Sequence, residues 1–377
     1  MPSDIGQFEQ CGGVGIVEQG IAEDAPPKIL STISASALQQ KSIPPIRWIV
    51  QDLIPAGLTL LASPPKFGKS WQTLDLCLSV SSGLRFLGYQ TNRCGTLYCA
   101  LEDSERRLKT RMNRLLDGRK APDIFHFATA AETIDNGLFE QLEGFLNEHP
   151  ETGLVAIDTL QRVRGSTQGR EGAYAADYRE LAALKQFADK RNVALLLVHH
   201  LRKMADDGDP FNRISGTAGV MGAADTAIVL EREKRDDANT TMHVVGRDVE
   251  SSSIVLRFDK ASCRWMNLGD ADAFAEQQTL EEYRQSPIVK TIKALLGQSP
   301  DGWEGTASQL MEAGRIVTHT SLADSAQALT KKLKALDKLL LEHDAIGHER
   351  KRNGSGGGKH RFLFAPLDEP TADNPFL

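Results

Sequence analysis

The sequence predicts an α/β fold with a mostly parallel central sheet. Five short apolar runs occur along the chain, at 58–62, 96–101, 154–158, 194–200 and 226–231. Segments with apolar residues at helical spacing lie between them, for example 69–83 and 178–191. Fully apolar strands that alternate with helices are typical of a parallel sheet covered on both faces. The segment 241–259 instead predicts antiparallel strands that close the sheet.

Length and local composition predict two domains with tails. The chain has 377 residues, more than one hydrophobic core usually organises. Residues 1–44 mix Gly, Ser, Pro and acidic residues without a period, which predicts a flexible leader or arm. The core domain is expected over 45–270, and a polar linker with helical propensity over 271–285. A small second domain is expected over 286–366, and a disordered tail over 367–377.

Composition and charge narrow the class of protein. The net charge is −6, which argues against a histone-like coat of positive charge but leaves room for a local basic surface. The five cysteines form no C-x-x-C pair, which favours core packing in a reducing compartment. No signal-peptide pattern or run of 18 apolar residues occurs, so we expect a cytoplasmic protein without a membrane partner.

The segment "SPPKFGKS" at 63–70 predicts a phosphate-binding loop between a strand and a helix. In such a loop, backbone N–H groups and the positive end of the helix dipole hold phosphate. Ser63 replaces the first glycine of the consensus, a position that mainly needs a small residue. Alternatively, the Gly-Lys-Ser match occurs by chance in a turn rich in Ala, Ser and Pro.

This loop predicts binding of ATP and Mg²⁺. Lys69 would reach the β- and γ-phosphates, Ser70 would give a hydroxyl to Mg²⁺, and Gly68 would allow close backbone approach. The predicted nucleotide-binding residues are Ser63, Pro64, Pro65, Lys66, Phe67, Gly68, Lys69, Ser70 and Trp71.

Two carboxylates follow apolar strands and predict catalytic roles. Asp158 ends "LVAID", the usual place for the Walker B acid that holds Mg²⁺. Glu102 follows "TLYCAL" and is the predicted general base for the attacking water. Alternatively, Glu102 stabilises the N-terminus of the following helix through the helix dipole.

Two histidines end a further apolar strand. His199 and His200 are consecutive, so their side chains point to opposite faces and at most one faces the phosphate. We expect His200 to sense the γ-phosphate. Alternatively, His200 is a polar residue at the sheet edge whose hydrogen bonds are made within the protein. A metal-binding pair is not expected from neighbouring strand positions.

Four segments in this order resemble the RecA-like ATPases of the AAA_25 family: "IPAGLTLLASPPKFGKSWQTLDLCLSVSSG", "LYCALEDSERRLKTRM", "VAIDTLQRV" and "LLLVHHLRK". That family includes RepA-type hexameric replicative helicases of plasmids and related proteins of phages and mobile elements. The resemblance covers about residues 45–270 and implies a RecA-like P-loop core. It also implies a ring with nucleotide sites between subunits, in which a basic residue of the neighbour completes each site.

The resemblance points to further residues. Arg247 matches the place of such an arginine finger, with Arg213 as second choice, and a surface salt bridge is the alternative for Arg247. Loops at 161–178 and 202–219 match places that line the central channel of RecA-like rings, where backbone phosphates of single-stranded DNA are tracked. The expected DNA contacts there are Arg162, Arg164 and Lys203; the loops can also be mere insertions.

The segment 286–365 predicts three helices and a hairpin, an order that resembles a winged helix-turn-helix. Between 331 and 361 nine Lys or Arg residues stand against four acidic residues, which predicts a surface for duplex or forked DNA. A domain that docks protein is the alternative. The expected DNA contacts are Lys331, Lys332, Arg350, Lys351 and Arg352.

These observations predict a DNA-dependent ATPase, in the first place a hexameric replicative helicase of a plasmid, phage or mobile element. An ATP-switched DNA-binding initiator or regulator without unwinding activity is the alternative. A structural oligomer with a degenerate nucleotide site is a third possibility, suggested by Ser63.

Overall fold

The computed structural model describes residues 30–165, 173–201, 208–214, 218–232, 237–299, 301–353 and 356–365. The chain separates into two compact units, one ending at Pro45 and one beginning at Ile46. The first unit contains helix α1 (Ala35–Gln40), whose N-cap Ser34 accepts a hydrogen bond from the backbone N–H of Ala37.

The second unit contains strands and helices in the following order along the chain. The strands are β1 (Trp48–Val50), β2 (Ile54–Pro55), β3 (Gly57–Ser63), β4 (Gly95–Ala100), β5 (Phe125–Ala128), β6 (Thr152–Asp158), β7 (Ala194–His200), β8 (Thr226–Glu231), β9 (Asn239–Gly246), β10 (Ser252–Asp259), β11 (Arg264–Asp270), β12 (Trp303–Thr306), β13 (Ile346–Asn353) and β14 (Gly356–Phe364). The helices are α2 (Lys69–Ser82), α3 (Glu105–Leu116), α4 (Leu138–Glu148), α5 (Leu160–Val163), α6 (Ala173–Arg191), α7 (Ala218–Ala223), α8 (Ala271–Gln285), α9 (Pro287–Gln298), α10 (Ala307–Thr318) and α11 (Ala326–Asp344), with a 3₁₀ turn at Pro210–Arg213.

Nine of the described strands form one sheet in the order β11-β10-β9-β8-β3-β7-β6-β4-β5. From β8 to β5 all neighbours pair in parallel, whereas β9, β10 and β11 form an antiparallel extension. The five predicted strands and the antiparallel closure over 241–259 are therefore confirmed. The chain thus has an α/β fold with a large, mostly parallel sheet.

Helices cover both faces of this sheet because alternate side chains of its strands point to opposite faces. In β7, Leu196 packs into the apolar core on one face and Leu197 into the core on the other. Leu74 of α2 contributes to the first core, and Leu142 of α4 and Leu184 of α6 to the second. The central strands are buried on both faces, which explains their unbroken apolar runs.

One helix and one strand differ from the sequence prediction. The segment 271–285, predicted as a polar linker, is helix α8, which packs on β10 and β11. Asp270 caps α8 by accepting hydrogen bonds from the backbone N–H groups of Asp272 and Ala273. Strand β5 was missed because three of its four residues are partly exposed.

Residues 287–365, together with Tyr283 of α8, form a separate apolar core. Among the described residues, α9, α10 and α11 pack against an antiparallel sheet of order β12-β14-β13. Leu310, Leu333 and Phe362 are fully buried in this core. The predicted N-cap Ser325 accepts a hydrogen bond from Ala328 N at 3.1 Å, so the predicted start of the third helix is confirmed. The predicted helices and hairpin are present, with β12 as an additional strand.

The described residues include four cysteines, of which three are buried. Cys77, Cys99 and Cys263 are buried free thiols, as expected for core residues. No helix within those ranges has the length and apolar character needed to cross a bilayer.

The close contact of α10 with the following loop generates a stability prediction. A Cβ atom at Gly314 would lie 2.4 Å from Leu322 Cγ, a distance that side chains do not tolerate. We expect Gly314→Ala to lower the free energy of unfolding by about 1–3 kcal/mol, measured by urea denaturation.

Gly297→Ala is the matched control in the same domain. Nothing lies within 4 Å of a Cβ at this exposed position of α9, so we expect a gain of about 0.5–1 kcal/mol. Equal effects of the two substitutions would contradict the packing described for Gly314.

Candidate nucleotide-binding site

The loop 64–68 connects the end of β3 to the start of α2. Gly68 is the N-cap of α2 in a left-handed conformation, with φ of 92°, and no side chain caps the helix. Its positive φ favours glycine, and a Cβ at this position would also lie close to the Trp265 ring, at 3.2 Å. The uncapped N–H groups of the first turn form, with the helix dipole, a site suited to phosphate.

Lys69 folds back against the loop that precedes it. Its side chain is 6% exposed, and Nζ donates hydrogen bonds to the carbonyl oxygens of Ser63 at 2.8 Å and Pro64 at 3.2 Å. Burial lowers the pKa of Lys69 to about 8, while the charges of Asp158 and Glu102 oppose this shift. The ammonium is therefore positioned next to the loop and loses its charge more easily than an exposed lysine.

Ser63 fits the place of the missing first glycine. It is fully buried, and its Oγ donates a hydrogen bond to the Pro64 carbonyl oxygen at 3.1 Å. Its own carbonyl accepts from Lys69 Nζ, so a small residue with a satisfied hydroxyl is accommodated here. The structure gives no reason to regard the loop as degenerate.

Asp158 lies at the carboxyl end of β6, next to Ser70. Its Oδ2 accepts a hydrogen bond from the Tyr98 hydroxyl at 2.9 Å, and the Ser70 hydroxyl is a second partner. Burial raises the pKa of Asp158, and the hydrogen bonds from Ser70 and Tyr98 oppose this rise. A hydroxyl and a carboxylate side by side supply the hard oxygen ligands that Mg²⁺ prefers. These residues fit a magnesium ion.

Glu102 lies across the cleft on the segment that follows β4. Its Oε1 accepts a hydrogen bond from the Thr159 hydroxyl at 3.3 Å, and its side chain is exposed to the cleft. The N-cap of α3 is Ser104, which accepts from Arg107 N at 3.4 Å. The alternative role of Glu102 as an acid at the helix start is therefore taken by Ser104 and Glu105 instead.

His200 and His199 occupy different surroundings, as their consecutive positions predict. His200 lines the cleft, with Nδ1 3.3 Å from Lys69 Nζ. An ammonium only donates, so Nδ1 accepts and the neutral ring carries its proton on Nε2. Burial and the charge of Lys69 lower the pKa of His200, which favours this neutral form. His199 is 5% exposed and does not line the cleft.

These side chains meet in one cleft of about 430 Å³, a volume in the range of small-ligand sites. The lining residues are Pro65, Lys66, Phe67, Gly68, Lys69, Ser70, Trp71, Glu102, Arg111, Asp158, Thr159 and His200. The remaining predicted loop residues, Ser63 and Pro64, lie behind the cleft and hold Lys69 through their carbonyls.

Arg111 and Thr159 are cleft residues that sequence reasoning missed. Arg111 donates to Asp103 Oδ2 at 2.6 Å, and its guanidinium lies 5.4 Å from the centroid of the Trp71 ring. It is one of several basic residues along α3, and no spacing distinguishes it from the others. Thr159 directly follows Asp158, so only its position after a predicted ligand could have indicated it.

The two predicted finger residues lie in different environments. Arg213 is 21% exposed and forms an ion pair with Glu231 at 2.9 Å. Arg247 is 59% exposed, and its nearest partners are Asp225 at 3.5 Å and the Gly222 carbonyl at 3.3 Å. Arg247 is thus the more exposed and the less closely paired of the two.

The predicted channel residues also differ from one another. Arg162 is exposed on α5. Arg164 is 17% exposed and forms ion pairs with Asp177 and with Glu180, the latter at 2.8 Å. Two carboxylates already pair with its guanidinium, so Arg164 is less available for DNA than the exposed Arg162, and its DNA contact stays a prediction. Lys203 lies outside the described residues.

The predicted contacts in the C-terminal domain are largely on its surface. Lys331, Arg350 and Lys351 are exposed. Lys332 is exposed as well, although its Nζ donates a hydrogen bond to the Leu322 carbonyl at 3.2 Å. The side chain of Arg352 lies outside the described part of the structure.

A parallel sheet with this loop, lysine and pair of carboxylates defines the class of P-loop nucleotide-binding proteins. Residues 24–206 match the model of the AAA_25 family, described as an AAA domain, so the resemblance inferred from the motifs is confirmed. No curated protein matches the chain.

Two solved structures are similar at low sequence identity. One is an isolated ATPase domain that is 16% identical, with a TM-score of 0.45, and the match covers 57% of this chain and 85% of that one. The other is a DnaB-like replicative helicase, solved with its interactions with primase, which is 14% identical with a TM-score of 0.45. That match covers 59% of this chain and 58% of the helicase chain, so this chain spans just over half of its length.

The lowered pKa of Lys69 predicts a pH dependence of ATP binding. Phosphate binding requires the charged ammonium, and with a pKa of about 8 the free chain loses that charge as pH rises. ATP binding then takes up a proton, and we expect the Kd to increase about tenfold between pH 7 and pH 9. Isothermal titration calorimetry in buffers of different ionisation enthalpy measures both the Kd and the proton uptake.

Lys69→Met is the control for this experiment. It removes the titrating group, so we expect weaker ATP binding that no longer changes between these two pH values. A wild-type Kd that stays constant over the same interval would contradict the lowered pKa of Lys69 in the free chain.

Proposed function

We propose that this protein is a DNA-stimulated ATPase that assembles into a ring, hexameric by analogy with the family it resembles, and acts as a helicase or translocase in replication of a plasmid, phage or mobile element. The observation that carries this proposal is the single cleft that joins Lys69, Ser70, Glu102 and Asp158. ATP is its substrate and Mg²⁺ its cofactor.

Each cleft residue has a role in hydrolysis. Lys69 neutralises charge on the β- and γ-phosphates, and backbone N–H groups around Gly68 orient them. Ser70 and Asp158 would hold Mg²⁺, which supplies positive charge to the phosphate oxygens. Glu102 accepts the proton of the water whose oxygen bonds to the γ-phosphorus, while the bond to the ADP oxygen breaks. His200, hydrogen-bonded to Lys69, senses whether the γ-phosphate is present.

The ring supplies a second cation to each site. Arg247 is the proposed finger because its side chain is 59% exposed and its contacts to Asp225 are long. A guanidinium from the neighbour would neutralise charge that develops during phosphoryl transfer. Arg213 is the less favoured candidate, since Glu231 already pairs with it.

DNA contacts are proposed at two places. Arg162 is exposed on the segment after Asp158, and with Lys203 it would follow the backbone of a single strand in the ring channel. The C-terminal domain is the proposed winged helix, because three helices precede a hairpin and a third strand joins it. Its third helix, α11, would contact duplex or forked DNA.

The exposed face of α11 supports this assignment. Lys331, Lys334 and Lys338 are exposed and lie three and four residues apart, so they form one basic stripe. Arg350 and Lys351 extend positive charge to the hairpin. Lys332 takes a lesser part, because it donates to the Leu322 carbonyl.

Strand displacement on a forked duplex tests the helicase assignment. A ring helicase separates the strands with ATP, and the Lys69→Met variant does not. If the wild-type chain hydrolyses ATP and binds DNA but leaves the fork intact, the protein is an ATP-switched DNA-binding protein and the helicase proposal is wrong.

Substitution of the proposed general base tests the catalytic mechanism. We expect Glu102→Gln to bind ATP normally but to lower steady-state phosphate release by about 10²–10⁴-fold. Glu105→Gln is the matched control, since Glu105 is an exposed acid three residues away in the first turn of α3. Unchanged turnover in Glu102→Gln would remove this residue from the mechanism.

Neutralising the α11 stripe tests the DNA surface. The triple variant Lys331→Ala, Lys334→Ala, Lys338→Ala should weaken binding to a forked duplex, and the slope of log K against log salt should fall by about 0.9 per lost phosphate contact. Fluorescence anisotropy over a series of salt concentrations gives both quantities.

A control with the same change in net charge is available on the ATPase domain. Lys120, Lys190 and Lys260 are exposed there, and their triple alanine variant should keep the affinity and the slope. If both triple variants lose affinity equally, net charge and not the α11 stripe governs DNA binding.

A further inference from the structure

A cluster of two imidazoles and one carboxylate lies away from the nucleotide cleft. His126 is on β5, His149 is the C-cap of α4, and Glu151 precedes β6. The Glu151 carbonyl accepts a hydrogen bond from Gly95 N, at the amino end of β4. The nucleotide cleft lies at the carboxyl ends of these parallel strands, whereas this cluster lies at their amino ends.

The three side chains converge. One ligand atom from each of His126, His149 and Glu151 lies within 4.8 Å of the other two. The Nδ1 atom of His149 and the Oε1 atom of Glu151 are 3.6 Å apart. Bonds of about 2.0–2.1 Å to Zn²⁺ place tetrahedral ligand atoms about 3.4 Å apart, so displacements of roughly 1 Å complete the geometry.

Side-chain exposure allows this small adjustment. The side chains of His149 and Glu151 are 31% and 41% exposed, so both can rotate without disturbing the core. Exposure also leaves room for water in a fourth coordination position.

The backbone that carries the cluster is well fixed. His149 N donates to the Phe145 carbonyl at 2.9 Å, and Thr152 N donates to the His149 carbonyl at 3.0 Å. The Phe145 ring packs edge-on against His126 and also contacts the His149 ring, with centroid distances of 5.3 and 4.5 Å. Strand β5 presents the His126 imidazole, and the turn between α4 and β6 presents the His149 imidazole, so both come from hydrogen-bonded backbone.

We propose that His126, His149 and Glu151 bind a divalent transition metal of the Zn²⁺ class through two imidazole nitrogens and one carboxylate oxygen. This donor set favours Zn²⁺ over Mg²⁺, which prefers oxygen ligands only. The ion would connect β5, an edge strand of the large sheet, to the turn before β6. Because it binds the folded chain, it stabilises that chain by mass action. The site is independent of the proposed ATPase function.

Zn²⁺ binding to the metal-free full chain tests this proposal. Competition with a chromogenic chelator is measured in a large excess of Mg²⁺, which occupies oxygen-only sites such as the one at Asp158. We expect one Zn²⁺ per chain at this site and a raised thermal midpoint. Co²⁺ in place of Zn²⁺ should give the visible absorption bands of a low-coordinate site with nitrogen ligands.

Matched variants assign the binding to these residues. His149→Gln changes a half-buried side chain and Glu151→Gln an exposed one. Each should weaken Zn²⁺ binding, His149→Gln by about 100-fold or more, since loss of outer-shell partners alone costs 10–100-fold. His319→Asn replaces an exposed histidine elsewhere with a residue that tolerates its φ of 55° and should have no effect. Absence of Zn²⁺ binding in the wild-type chain, or equal affinity in His149→Gln, would overturn the proposal; unchanged circular dichroism shows that a loss of binding is not a loss of fold.

Discussion

The parallel register of four strands fixes where the candidate site forms. Ser63 at the end of β3 pairs with His200 of β7, and Asp158 of β6 pairs with Val198 of β7. Asp158 also pairs with Ala100 of β4, so that Glu102 follows two residues beyond the same edge. A slip of one residue in any of these pairings would turn the side chain to the other face of the sheet. The chemistry of the cleft thus depends on backbone hydrogen bonds far inside the apolar core.

Burial gives the cleft its electrostatic character. The Lys69 ammonium and the Asp158 carboxylate are both nearly excluded from water, and burial disfavours the charged form of each. Carbonyls of the loop and hydroxyls of Ser70 and Tyr98 compensate for part of this cost. A charged ligand would therefore meet donors and acceptors that are already oriented, which is the condition for strong electrostatic stabilisation in a site with little water.

The sequence was sufficient to predict those structural features that a local pattern of residues specifies. Apolar runs revealed the buried parallel strands, and the glycine, lysine and serine of the loop revealed the start of α2. Glu102 and Asp158 could be placed in one site because the carboxyl ends of parallel strands share an edge. Such predictions need only the order of the strands and helices along the chain and the spacing of their apolar residues.

Tertiary contacts decided the features that the sequence did not reveal. Arg111 joins the cleft through Asp103 and Trp71, which no spacing along α3 indicates. Arg164 resembles a DNA contact in sequence, but two carboxylates of α6 enclose it. His126 and His149 are 23 positions apart in the sequence, and only the pairing of β5 with β4 brings them together.

Helix α8 has a consequence for how the two folded cores of this unit move. It packs on β10 and β11 at one end, while Tyr283 near its other end is buried in the C-terminal core. Its C-cap, Ser286, is also the N-cap of α9, so no slack chain separates the two helices. A helix of 15 residues is a stiff rod of about 22 Å. Because α8 is stiff, a tilt of the antiparallel strands would be transmitted through it as a displacement of the C-terminal domain.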